Sequence, residues 1–329
     1  MKSEENWPTS GQAPKTLTWH GDGLADWVSG YTWYPDGPVE GGPQYPFPDF
    51  YDGAVVSPSG RYQVIYHEYG VEGLLLDRGE PLRELTRDDD DPDAFFYPVT
   101  FGRLADGREV LIHCPERRDR LEIELPDTGE RLTSRPLEEG VYPTDLYHSR
   151  LAVSPGGRWL LSAGWVWHPA GVAQVYDMRR ALAEPAVLDE LSPFPAMEPG
   201  EVESACWLDE DRLAVFSIGW ESDKWPQLSD ASSLDIWSMT AADWVSKVPV
   251  TEHLGTIVRF GDHLLSFYDH PKLLDPSTGE VVASWPHLPS GKRMLGYGWT
   301  YEPETVAVHP DGTRFAVASD EFITVVEWS

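Results

Sequence analysis

The chain has 329 residues, of which 25 are Lys or Arg and 55 are Asp or Glu, giving a formal charge of −30 at pH 7. So acidic a balance argues against nucleic acid, because a phosphate backbone is bound by cations that displace its counterions. With 41% hydrophobic residues and 15 Trp there is ample material for a core, while no apolar run approaches membrane-spanning length.

Residues 1–14 begin Met1-Lys2-Ser3-Glu4-Glu5-Asn6, with no apolar stretch behind them to act as a secretion signal. They are expected to form a flexible N-terminal tail, and residues 15–329 a single domain located in the cytoplasm. Thr16-Leu-Thr-Trp19 is a short apolar strand, followed by a long segment over 21–50. The stretch Ala54-Val-Val-Ser-Pro58-Ser-Gly60-Arg61-Tyr62 then reads as two apolar strands joined by a tight Pro-x-Gly turn. It recurs as Leu151-Ala-Val-Ser-Pro155-Gly-Gly157-Arg158-Trp159 and Val306-Ala-Val-His-Pro310-Asp-Gly312-Thr-Arg314-Phe315. From Pro58 to Pro155 is 97 residues and from Pro155 to Pro310 is 155, close to two and three units of about 50 residues. Weaker copies over 101–112, 205–216 and 257–267 fill the gaps, giving six units. Cys114 and Cys206 fall in different units and are expected to be buried free thiols.

Each hairpin precedes a third strand, read at 73–76, 121–125, 172–176, 234–237, 272–274 and 324–328. Leu125-Pro-Asp-Thr-Gly129 and Leu274-Asp-Pro-Ser-Thr-Gly279 are turns into a fourth. The expected fold is therefore all-β: one β-propeller of six four-stranded blades, with seven blades as the alternative. The chain ends after a third strand, so the fourth strand of the last blade is expected from Thr16 to Trp19, pairing with residues 323–328 and removing an exposed edge.

Ala316-Val-Ala318-Ser319-Asp320 followed by Thr324-Val-Val-Glu-Trp328 resembles the last half of a WD-repeat blade, and Val172-Ala-Gln-Val-Tyr176-Asp177 and Leu234-Asp-Ile-Trp237-Ser238 are looser matches. The resemblance covers most of residues 50–329 and implies a bacterial, degenerate WD-repeat-like propeller. The chain departs from the family in having no Gly-His pair before any blade and no Trp-Asp dipeptide. What the resemblance implies is a fold rather than a function.

In a propeller the first-to-second and third-to-fourth turns share one face, and these are short here, as at 57–60, 105–107, 154–157, 209–211 and 309–312. The long segments, 21–50, 87–97, 135–149, 164–171, 191–203, 219–232 and 285–305, all belong to the opposite face. Long loops in a compact domain are where function concentrates. They carry aromatic residues beside charges: Trp165, Trp167 and His168; Trp220 and Trp225; Trp299 and Tyr301; and Tyr31 to Tyr34. Asp88, Asp89, Asp90 and Asp91 add an acidic run that lacks the spacing of a calcium loop. Together these residues make the expected partner-binding surface.

No nucleophile elbow, phosphate loop or zinc-ligand spacing occurs, and no metal or other cofactor is expected. The expected function is a non-enzymatic protein-interaction module that binds a basic protein, acting as a scaffold or as an immunity-type inhibitor of a toxin. The alternative is a carbohydrate- or small-ligand-binding propeller, or a hydrolase or lyase, with Asp145, His148 and Glu203 converging at the mouth of the central channel.

Overall fold

The computed structural model describes residues 2–40, 47–89, 91–92, 95–136, 142, 144–166, 170–191, 201–219, 232–292 and 305–328. Its first strand, β1 (Lys2–Pro8), belongs to the last blade. Blade 1 contains β2 (Thr18–His20), β3 (Gly23–Asp26), β4 (Tyr31–Tyr34) and β5 (Gly37–Glu40); blade 2 contains β6 (Gly53–Val56), β7 (Tyr62–Tyr66), β8 (Glu72–Asp77) and β9 (Glu80–Thr86). In blade 3, β10 (Val99–Arg103), β11 (Glu109–His113) and β12 (Glu122–Glu124) are followed by a single bridge from Glu124 to Arg131 in place of a fourth strand.

Blade 4 has β13 (Leu146–Tyr147) and β14 (Leu151–Val153) as two pieces of one inner strand, both paired to β15 (Trp159–Val166), and then β16 (Ala170–Asp177). A helix, α1 (Met178–Ala183), follows, capped by Asp177, whose carboxylate accepts the N–H groups of Arg179 and Arg180. Blade 5 is β17 (Glu201–Trp207), β18 (Arg212–Ile218), β19 (Ser233–Ser238) and β20 (Asp243–Pro249), and blade 6 is β21 (Ile257–Phe260), β22 (His263–Tyr268), β23 (His270–Leu274) and β24 (Val281–Ser284). Blade 7 is β25 (Val306–Val308), β26 (Arg314–Ala318), β27 (Phe322–Trp328) and, on its outer edge, β1.

The described strands thus make seven blades, the alternative read from the sequence, and not six. All six hairpins read from the sequence are the first two strands of a blade, and the additional blade lies upstream of them. Residues 21–50 are not one long loop, because they hold β3, β4 and β5. Trp33 accordingly has 0% exposure as a core residue of blade 1 rather than a surface aromatic. The closing strand also differs. Thr18–His20 is the innermost strand of blade 1, and closure falls to residues 2–8, which pair antiparallel with β27 from Lys2 opposite Trp328 to Pro8 opposite Phe322. The segment expected to be a flexible tail is therefore largely structural.

The repeated turns share a chemistry. The hydroxyl of Ser57 accepts the N–H of Tyr62, and that of Ser154 accepts the N–H of Trp159, while the Gly60 and Gly157 N–H groups return to the carbonyls of the same two serines. Gly157 has φ of 75°, and a Cβ there would sit 2.3 Å from the Arg103 carbonyl of the neighbouring blade. Between blades the packing is apolar at every seam: Val64 and Leu75 of blade 2 meet Val99 and Leu111 of blade 3, and Leu161 and Val175 of blade 4 meet Val215 and Trp237 of blade 5. Cys114 is buried as expected, whereas Cys206 is half-buried; both are free. No helix among the described residues is long and apolar enough to cross a membrane.

Trp7, on the closing strand, is 3% exposed and packs with Leu24 and Trp33 of blade 1 and Ile323 and Val325 of blade 7. Trp7→Ala is expected to lower the unfolding free energy by about 3–5 kcal/mol, measured by urea denaturation. No measurable loss would mean that the ring is held shut elsewhere.

Candidate functional site

The chain runs around the ring so that the first-to-second turns, such as 57–61, 104–108, 154–158 and 309–313, all lie on one face and the crossings between blades on the other. The crossing from blade 2 to blade 3 carries the acidic run. Its organiser is Arg87, 6% exposed, whose guanidinium donates to five carbonyls: Gly70 at 2.6 Å, Pro92 at 2.6 Å, Phe95 and Phe96 at 3.2 Å each, and Glu68 at 3.3 Å. The same group lies over the rings of Phe95 and Tyr97. An acidic loop wrapped on a buried cation keeps its carboxylates outside: Asp89 and Asp91 are exposed and Asp88 is half-buried. Asp90 lies outside the described residues.

From this loop a line of polar contacts crosses three seams. Phe96 exchanges hydrogen bonds with the Ser149 hydroxyl, and the Arg150 guanidinium lies 4.4 Å over the Phe96 ring. Arg150 in turn donates to the backbone carbonyl of Glu203 in blade 5, and the Ser204 hydroxyl donates to the Gly255 carbonyl at the entrance to blade 6. Two β-bulges make this reach available. One lies at residues 148–150, between the Tyr147–Trp165 and Leu151–Ser162 pairs, and the other at Glu203, where the β17–β18 register shifts. Bulges re-aim side chains at sheet ends, and here both lie in inner strands on the long-loop face.

The three residues expected at the channel mouth differ in exposure and in their side-chain contacts. The Asp145 side chain is 59% exposed and lies 3.6 Å from the Arg118 guanidinium, which itself rests on the Tyr147 ring. His148 is fully buried, its Nδ1 3.0 Å from the Ser162 hydroxyl and its ring edge-on to Tyr176. Burial lowers its pKa to about 3, so the imidazole is neutral at pH 7. Glu203, 2% exposed, has an oxygen 3.2 Å from His253 Nε2, and His253 stacks against Tyr268 with centroids 3.8 Å apart. Burial, with a smaller contribution from the nearby Lys272 charge, lowers the His253 pKa to about 4. Asp145 and His148 thus share Arg118, whose carbonyl accepts the His148 N–H at 3.1 Å, while the described side-chain contact of Glu203 is with His253.

Trp165 is 3% exposed and sits edge-on to Tyr147 beside Phe95, so it anchors the long loops from beneath instead of meeting a partner. Trp167, His168, Trp220, Trp225, Trp299 and Tyr301 lie outside the described residues. Arg87, Arg118, Arg150 and His253 are further residues of this face that the strand pattern does not single out. Of these, Arg87 alone carries a signal in the sequence, as the one basic residue of the acidic segment 87–97 that ends in Phe95-Phe96-Tyr97. No group of three or more His, Cys, Asp or Glu side chains fit to hold a metal occurs among the described residues.

No protein-family model matches the chain, and no curated protein matches it in sequence. Solved structures do match. A chain of Kuenenia stuttgartiensis hydrazine synthase is similar with a TM-score of 0.62 and 13% identity, over 96% of each chain. A chain of a mitotic checkpoint complex is similar with a TM-score of 0.57 and 13% identity, over 99% of this chain and 91% of that one. As many as 756 solved chains match, so the likeness establishes a β-propeller and does not discriminate among the functions that propellers serve.

Removing the organising cation tests the loop. Arg87→Met is expected to cost about 3 kcal/mol, because it strands buried carbonyls, and to make residues 88–92 a site of rapid limited proteolysis. Proteolysis at the wild-type rate would show that Arg87 does not hold the loop.

Proposed function

We propose that the chain is a non-enzymatic binding module that takes a basic protein partner on its long-loop face, as a cytoplasmic scaffold or as an immunity-type inhibitor. The observation that carries this reading is the acidic crossing between blades 2 and 3, where a fully engaged Arg87 fixes the backbone while Asp89 and Asp91 point outward. A loop built on a buried cation has its ordering cost met in the free protein, which favours binding without rearrangement. The formal charge of −30 supplies a field that attracts a cationic surface and speeds encounter. The fold neighbours contribute the scaffold alone.

Capture of partners from the native cell at low salt, followed by mass spectrometry, is expected to return a basic protein whose association slows as salt rises, since fields are screened beyond about 8 Å at physiological ionic strength. The double variant Asp89→Asn and Asp91→Asn is expected to slow association by roughly threefold to tenfold and leave dissociation nearly unchanged. An unchanged association rate, or a captured partner that is acidic, would contradict the proposal.

A further inference from the structure

Among the described residues, blade 4 has no outer strand: β16 pairs with β15 on one side, and the chain then leaves into α1 and a 3-10 helix (Pro185–Asp189). Other blades show what belongs on the other side. In each of blades 2, 4 and 5 the residue after the third strand donates its N–H to the carbonyl of the residue before the second: Arg78 to Arg61, Met178 to Arg158 and Met239 to Asp211. Asp177 and Val175 are therefore equivalent to Asp77 and Leu75 of blade 2 and to Ser238 and Ile236 of blade 5. There the fourth strand pairs, Asp77 with Glu80 and Leu75 with Arg83, and Ser238 with Asp243 and Ile236 with Ser246. The same bond fixes the alternation along β16, so that the N–H and C=O of Tyr176 turn toward β15 and those of Val175 and Asp177 turn outward. The Val175 N–H and C=O and the Asp177 N–H form no hydrogen bond with any described residue.

A cavity of about 340 Å³ stands where that strand would lie. Val175 and Asp177 form one side of it, and Trp159, Trp237, Met239 and the 61% exposed Leu191 complete a largely apolar lining. We propose that this slot is a peptide-binding site, in which an extended, net basic segment of a partner protein with a large apolar side chain docks on β16 as the fourth strand of blade 4. The ring already completes blade 7 in this manner, with β1 brought from the far end of the chain.

The outward groups at 175 and 177 present donors and an acceptor at the spacing of a strand, which an extended backbone matches and a compact apolar ligand does not. Cross-strand neighbours share a face, and Val175 packs with Trp237 of blade 5, so the side chain opposite Val175 enters against Trp237 and Met239. Around the slot the carboxylates of Asp177, Glu184 and Glu190 outnumber the Arg158 and Arg180 guanidinium groups that pair with them, in a chain of formal charge −30. That balance selects a basic segment. The crossing that follows Leu191 carries Pro193, Pro195 and Pro199, which have no N–H to give to a ladder. The slot opens at the short-turn end of β16 and does not depend on the reading of the long-loop face.

Two libraries of end-blocked heptapeptides test this on the full chain. Both carry Phe, Leu, Trp or Met at the third and fifth positions and Thr at the second, fourth and sixth, one with Lys at both ends and the other with Glu. Lys-ended members are expected to bind saturably, at least about tenfold more tightly than their Glu-ended counterparts, and to slow amide exchange at Val175 and Asp177 by at least about tenfold. Methylating one alternate set of peptide nitrogens is expected to weaken binding at least about tenfold and methylating the other set to leave it nearly unchanged, since only one set faces β16. Leu191→Lys, at an exposed position, is expected to weaken it at least about threefold. No saturable binding from either library, tighter binding of the Glu-ended one, or equal effects of the two methylated sets would overturn the proposal. So would exchange at Val175 and Asp177 in the unbound protein as slow as at Tyr176, which would show the slot filled by this chain or by a second copy. Binding is expected to be unchanged in the Asp89→Asn, Asp91→Asn double variant; its loss there would move the peptide to the long-loop face and overturn the slot.

Discussion

The structure depends on one pairing, between β1 at the start of the chain and β27 at its end. A propeller blade buries its two faces against its neighbours, so no blade is complete until the ring is, and an open ring leaves two apolar faces and a strand edge in water. The contact is more than a ladder. The Thr324 hydroxyl donates to the Asn6 side chain at 2.8 Å, and just beyond the strand Thr9 donates through its hydroxyl to the Asp320 carbonyl and through its N–H to that of Glu321. Trp7 fills the space between first and last blades. The two strands are far apart in sequence, so pairing them from a disordered chain carries a loop-closure cost in entropy that an ordered ring has already met.

Closure also separates the two faces chemically. On the short-turn side neighbouring turns clasp each other, as where the Glu109 carboxylate takes the Ser59 N–H and hydroxyl and Glu210 takes the N–H of Gly156. Such turns have little freedom to vary. The opposite side carries the crossings, two bulged inner strands and three arginines: Arg87 and Arg150 engage carbonyls and aromatic rings, and Arg118 lies on the Tyr147 ring beside Asp145. At the crossing between blades 2 and 3, Arg87 is drawn inward to fix the loop, while Asp89 and Asp91 stay outside and add to the surface field.

Much of this was legible in the residues. Pro-x-Gly turns with apolar flanks marked three blades and weaker copies of the hairpin three more, since turn geometry is local and Gly60, Gly157 and Gly312 all adopt the positive φ that the motif demands. Blade 1 escaped because its strands are only three or four residues long and its first hairpin turns on Gly21 and Asp22 without proline. The closing strand escaped because Lys2-Ser-Glu-Glu-Asn6 is polar, as suits an outermost strand, and only Trp7 betrays an inward face. Asp177 ahead of Met178-Arg-Arg-Ala-Leu-Ala has the chemistry of a helix cap, and a helix follows where most other blades have a fourth strand. At the candidate site, spacing placed Asp145, His148 and Glu203 on the right face, but bulges and seams decided which way each points, and that is tertiary information absent from a strand pattern.

The central claim is that one face of this ring is built to bind and the other to hold the ring together. Hydrogen exchange of the protein alone and with its captured basic partner tests it most directly. The account predicts new protection at residues 87–98 and at neighbouring crossings of the long-loop face, with the turns at 57–61, 154–158 and 309–313 unchanged. New protection confined to those short turns would contradict it.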